Sequence, residues 1–102
     1  MTKKINVFIG DILKQEFLEP LNMSAYKLAK EIGVSSSLIS QLLKGKVSLS
    51  PDMAYKLGLL FGTGTQYWLD MQTLCDVQAI EEKYRKQPIK IKTIDYKNYI
   101  IA

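Results

Sequence analysis

The stretch that decides the fold runs from Ser24 to Lys46, SAYKLAKEIGVSSSLISQLLKGK. It reads as two short helices around a tight turn. Ser24 is placed to cap the first, Ala25 to Ile32, with Leu28, Ala29 and Ile32 on one face. Gly33 follows at the position where a helix ends in a left-handed residue, which glycine adopts without strain. Ser35 or Ser36 caps the second helix, which runs to about Lys44 and is closed by Gly45. Ala29 is small where the second helix crosses the first. Leu28, Ile32, Val34, Ile39 and Leu42 form the inward set that locks the angle between them.

Two helices locked in this way form a helix-turn-helix, in which the second helix enters the DNA major groove. A helical hairpin with a glycine turn also occurs as a purely structural unit, but the outer face of the second helix favours the DNA reading. It carries Ser36, Ser37, Ser40 and Gln41, where an inert surface would carry Glu and Lys. Serine and glutamine can donate and accept at base edges, and glutamine suits adenine. Between Glu31 and Asp52 there is no acid, but Lys44 and Lys46 are present, while Asp70, Asp76, Glu81 and Glu82 cluster elsewhere. The reading face is thus expected to be the positive one. Lys27, Lys44 and Lys46 are candidate phosphate contacts, as is the N-terminus of the first helix at Ser24 and Ala25.

Outward from this centre, residues 1–9 read as a short arm with β character at Ile5, Val7, Phe8 and Ile9. Asp11 to Leu18 reads as a helix that Pro20 ends. Ser50-Pro51-Asp52 is a strong start for a further helix, which Gly62 stops after Phe61. Thr65 to about Arg85 is the longest helical stretch, and its early turns are apolar on more than one face. A central position in the core would explain that width, and so would a second copy docked at Tyr67, Met71, Leu74 and Cys75. After Pro88, Ile89-Lys90-Ile91-Lys92 alternates strictly and predicts a strand in need of a partner: the arm, a twin chain or another protein. The expected architecture is an all-α bundle of five helices over 10–86, with the helix-turn-helix at about 24–45, the arm at 1–9 and a short β-strand or tail over 87–102.

The composition excludes a good deal. The 102 residues are 47% apolar with a formal charge of +4, and contain no histidine and one cysteine. The usual general base and the commonest metal ligand are therefore missing. Cys75 has no histidine to activate it. Glu81 and Glu82, being adjacent, diverge by about 100° on a helix and make no carboxylate pair. Gly62-Thr63-Gly64 lacks the lysine of a phosphate loop. The expectation is a protein with no catalytic residue, no metal and no cofactor. No run of 18 apolar residues exists, and Asn6, Gly10 and Asp11 break up any signal peptide. A single cysteine fits a reducing cytoplasm.

The residues also carry a resemblance. Gly10-Asp11-Ile12-Leu13, Glu16-Phe17-Leu18-Glu19-Pro20-Leu21, Leu28-Ala29, Gly33-Val34, Ile39-Ser40 and Lys44-Gly45-Lys46 lie in one half of it. Leu49-Ser50-Pro51-Asp52-Met53-Ala54, Leu57, Phe61-Gly62-Thr63 and Tyr67-Trp68-Leu69-Asp70-Met71-Gln72 lie in the other. Together, over about residues 8–80, they resemble the HigA/VapI-type antitoxins of type II toxin–antitoxin systems, within the phage-repressor-like (XRE) helix-turn-helix superfamily. The resemblance implies a homodimer that represses its own operon by binding an inverted-repeat operator in double-stranded DNA. It also implies a partner, a small basic toxin of RelE-like fold that cleaves mRNA on the ribosome. By position it implies base contacts from Ser36, Ser37 and Ser40, with Gln41 and Lys44 close by, and a Ser35 that caps the helix and touches a phosphate. It implies core roles for Leu57, Phe61 and Trp68. The family commonly has His-Pro-Gly where this chain has Phe8-Ile9-Gly10, and Ser-Pro where it has Gly64-Thr65, which predicts a looser start to the long helix. A stand-alone regulator of the same fold without a toxin, and a pure protein-interaction module, are the alternative readings.

Overall fold

A computed structural model describes residues 8–100 and is helical wherever it is regular. Helix α1 opens as an α-helix over Ile9–Ile12, widens into a π-helix over Leu13–Leu18 and closes as an α-helix over Glu19–Leu21. Then follow α2 (Ala25–Ile32), α3 (Ser36–Leu43), α4 (Pro51–Phe61), α5 (Thr65–Lys86) and a short α6 (Tyr96–Ile100). The punctuation of α2 to α4 is side-chain chemistry. Ser24, Ser35 and Ser50 each turn a hydroxyl oxygen onto the amide three residues on, at 3.0, 3.1 and 3.1 Å. Gly33 and Gly62 end α2 and α4 in the left-handed region, at φ 71° and 73°. Helix α5 begins at Thr65, and Gly64 before it offers no side chain to cap it.

The five long helices each contribute to one core: Leu13 from α1, Leu28 from α2, Ile39 and Leu42 from α3, Leu57 from α4 and Trp68 from α5 are withdrawn from solvent. Burying each aliphatic side chain stabilises by about 1.5–3 kcal/mol. Ala29 is buried too, and Ile32 and Val34 are half-buried against the same cluster. Gly10 shows why α3 can sit so close to α1. A Cβ there would meet the Leu42 carbonyl oxygen at 2.3 Å and Leu43 Cα at 2.7 Å. No helix among the described residues is long and apolar enough to cross a membrane.

Three expectations change. Ile9 opens α1 and is buried instead of extending the arm, because the Asp11 carboxylate accepts the Phe8 N–H at 3.3 Å and starts the helix early. The β character expected at Ile5 and Val7 falls on residues 1–7, outside the described residues. Pro20 does not end α1, which continues to Leu21 and turns at Asn22 (φ 54°). Ahead of the proline the backbone shifts to i→i−5 bonding, with the Glu19 N–H on the Lys14 carbonyl, and this wider turn relieves the carbonyl that a proline ring would strike. Lastly, the C-terminal β-strand is not formed. Residues 88–95 have no regular structure, and every side chain over 88–98 is exposed. A strand without a ladder is not stable. Asp95 instead accepts from the Asn98 N–H at 3.0 Å and Asn98 Nδ2 at 2.9 Å, which starts the α6 turn.

Candidate nucleic-acid interface

Buried Ile39 and Leu42 pin one side of α3 to the body, so its other side must face out. Ser36, Ser37 and Gln41 are exposed there, and Ser40 is half-buried beside them. The i, i+4 spacing stacks Ser36 over Ser40 and Ser37 over Gln41. In the second pair Gln41 Nε2 donates to Ser37 Oγ at 3.2 Å. That bond uses one of the two amide protons and leaves the other, together with Oε1, for an outside partner. Gln41 is therefore held in place yet retains the donor–acceptor pair that matches an adenine edge. Ser35 Oγ accepts the Leu38 N–H, so its own hydroxyl proton stays available to a phosphate.

The flanks follow from how α3 ends. The amides of Gly45 and Lys46 bond back to the carbonyls of Leu42 and Gln41 at 3.1 and 2.9 Å, and Gly45 takes φ 76°. This brings Lys44 and Lys46, both exposed, to the C-terminal end of α3. At the other flank, Ser24 is exposed and Ala25 half-buried at the start of α2. Lys27 is exposed but not free: Nζ lies 2.8 Å from Glu31 Oε2. This hydrogen bond and charge pairing raise the Lys27 pKa and lower that of Glu31. Lys44 and Lys46 have no ion-pair partner among the described residues.

One contributor was not singled out from the sequence. Gln72 on α5 accepts the Leu49 N–H at 2.8 Å through Oε1 and donates to Asp76 Oδ1 at 2.8 Å through Nε2. It fastens the loop after α3 to the long helix. Its signal lay in spacing, since Gln72 falls four residues after buried Trp68 and three before buried Cys75.

The four residues expected at a second-copy contact separate in space. Cys75 is buried against its own core, where burial raises its thiol pKa. Tyr67 and Met71 are half-buried, with the Tyr67 ring edge-on to Trp68 at 5.2 Å. Leu74 is exposed, and so are Val77, Ile80 and Tyr84. At about 100° per residue, these last four face away from the side that buries Trp68 and Cys75.

Residues 14–68 match the helix-turn-helix family. Among relatives, the chain is 39% identical over 82 residues to Virulence-associated protein I of Dichelobacter nodosus, covering 80% of this chain and 74% of that protein. It is 32% identical over 93 residues to Antitoxin HigA-1 of Vibrio cholerae, covering 91% and 88%. Among solved structures it is similar to the Pseudomonas aeruginosa antitoxin HigA with the higBA promoter, at a TM-score of 0.79 and 28% identity, covering 86% and 97%.

Proposed function

From a chain that belongs to the helix-turn-helix family, with Antitoxin HigA-1 and Virulence-associated protein I among its relatives, we infer an antitoxin that binds operator DNA as a homodimer and represses its own operon. The observation that carries this reading is the α3 face: short polar side chains in an acid-free segment, on a helix fixed by Ile39 and Leu42, with unpaired Lys44 and Lys46 at its end. Ser36, Ser37, Ser40 and Gln41 read base edges. Ser24, Ala25, Lys27, Ser35, Lys44 and Lys46 hold phosphates and set the register. The apolar stripe Leu74, Val77, Ile80 and Tyr84 supports pairing of two chains along α5, with Tyr67 and Met71 at its margin, because a monomer gains nothing from exposing it. A two-fold dimer reads an inverted repeat whose half-sites lie about one helical turn, or a multiple of it, apart. The protein partner is a small basic toxin of RelE-like fold.

The experiment has two arms. Duplex from the chain's own promoter should bind more tightly than scrambled duplex by at least about a thousandfold at physiological salt. Co-expression should rescue growth from the toxin encoded beside it. Promoter binding without rescue or complex formation would leave a stand-alone regulator and reject the antitoxin reading. The absence of any salt-dependent DNA binding would reject both.

The Lys27–Glu31 pair adds a directional test. Glu31→Gln frees the lysine and removes an acid from the DNA side, so it should tighten duplex binding by about two- to fivefold at low salt, with the gain fading as salt rises. Weaker binding would show that Lys27 does not face the phosphates.

A further inference from the structure

The formal charge of +4 is unevenly placed. Between positions 83 and 97 stand six cations, Lys83, Arg85, Lys86, Lys90, Lys92 and Lys97, against one acid, Asp95. That stretch sums to +5, so all other positions together sum to −1. The acid-free segment around α3 predicts a positive pole there, whereas the whole of the net excess lies in the C-terminal stretch.

This charge is on display. Arg85 and Lys86 are both held by Glu82, and the Lys83 amine sits 5.2 Å from the centre of the Tyr84 ring. Lys90, Lys92 and Lys97 are exposed and have no ion-pair partner among the described residues. The segment that carries Lys90 and Lys92 buries none of its side chains and forms no regular structure, so the protomer's own packing gives it no role.

Its placement points to one kind of partner. Helix α5 runs past the loop that bears Lys46: Lys46 and Ser48 line one cleft of about 300 Å³ with Gln72, Asp76 and Ala79. The cationic stretch begins one turn beyond Ala79, on from the candidate phosphate contacts. The radius of gyration is 17.8 Å, against about 13 Å for a compact chain of this length, so part of the chain stands off the body. Residues 87–95 can span up to about 30 Å when extended, close to one turn of duplex. A basic protein such as the proposed toxin would be repelled by such a segment, whereas a polyanion would be attracted.

We propose that residues 83–97 are a second DNA contact, a cationic strap that lies on duplex phosphates outside the major-groove site of α3. It rests on the DNA-binding reading above and extends it. The strap contributes affinity and salt dependence but no sequence discrimination, since phosphates carry no base information.

The test compares the full chain with a variant carrying Lys90→Gln, Lys92→Gln and Lys97→Gln, by anisotropy on a fluorescent promoter duplex across a salt series. Each lost phosphate contact lowers the slope of log K against log salt by about 0.9. The triple variant should therefore lose about 2–3 in slope and at least about tenfold in affinity at low salt, with its promoter-to-scrambled ratio unchanged. An unchanged slope overturns the strap, and so does an affinity loss at constant slope, which would come from assembly or folding. If the parent chain binds no duplex, the DNA-binding reading itself fails, and the parent measurement shows this before any variant is compared.

Discussion

Trp68→Ala should remove about 3–5 kcal/mol of folding stability, a large part of the 5–15 kcal/mol that a domain of this size holds. The indole is fully withdrawn from solvent and lies in an aromatic cluster, 4.8 Å from the Phe17 ring, 5.2 Å from Tyr67 and 6.1 Å from Phe61. It joins α5 to α1 and α4 at once, so the cavity left by alanine has no single neighbour able to fill it. Phenylalanine should be far milder. Nε1 of Trp68 is buried with no hydrogen-bond partner among the described residues, so Trp68→Phe removes an unpaired donor along with the lost ring volume. Its net loss should stay below about 1.5 kcal/mol. Urea unfolding of the two variants decides this. An alanine variant within about 1 kcal/mol of the parent would mean that the cluster does not hold the bundle together.

The second large effect concerns recognition. Gln41→Ala should weaken promoter binding by about 1–3 kcal/mol and leave scrambled duplex almost untouched. Ser37→Ala should do part of the same damage, because Ser37 Oγ holds the Gln41 amide. The double variant should then lose less than the two singles added together, the signature of residues acting as a pair. Lys44→Ala provides the contrast: it should weaken both duplexes alike and lower the salt slope by about 1. Equal losses on promoter and scrambled DNA for Gln41→Ala would remove α3 from the role of reading helix.

Features written within a few residues of themselves were legible from sequence. The serine caps at Ser24, Ser35 and Ser50 and the glycine stops at Gly33 and Gly62 stand where local chemistry puts them. The polar face of α3 was legible for the same reason, since a period of 3.6 and two buried aliphatics fix which side remains. Features that depend on distant neighbours were not. Pro20 signals a stop, but the π-turn that absorbs it arises upstream. Ile89 to Lys92 has the alternation of a strand, yet a strand exists only with a ladder partner, and no local signal supplies one. Gly10 reads as an interruption, whereas its reason is a helix some thirty residues later. Gln72 sat in a legible pattern, but its partner, the Leu49 amide, lies 23 residues away.

That bond bears on how tightly DNA can be held. A loop carrying Lys44 and Lys46 would ordinarily be disordered in the free protein and lose conformational freedom on meeting phosphate, which subtracts from affinity. Here the loop is closed at one end by the turn at Gly45 and at the other by Gln72, so much of that ordering is already done on folding. The Leu49 amide, although it lies outside any helix, should exchange its hydrogen as slowly as the helical amides beside it, and should change little when DNA arrives.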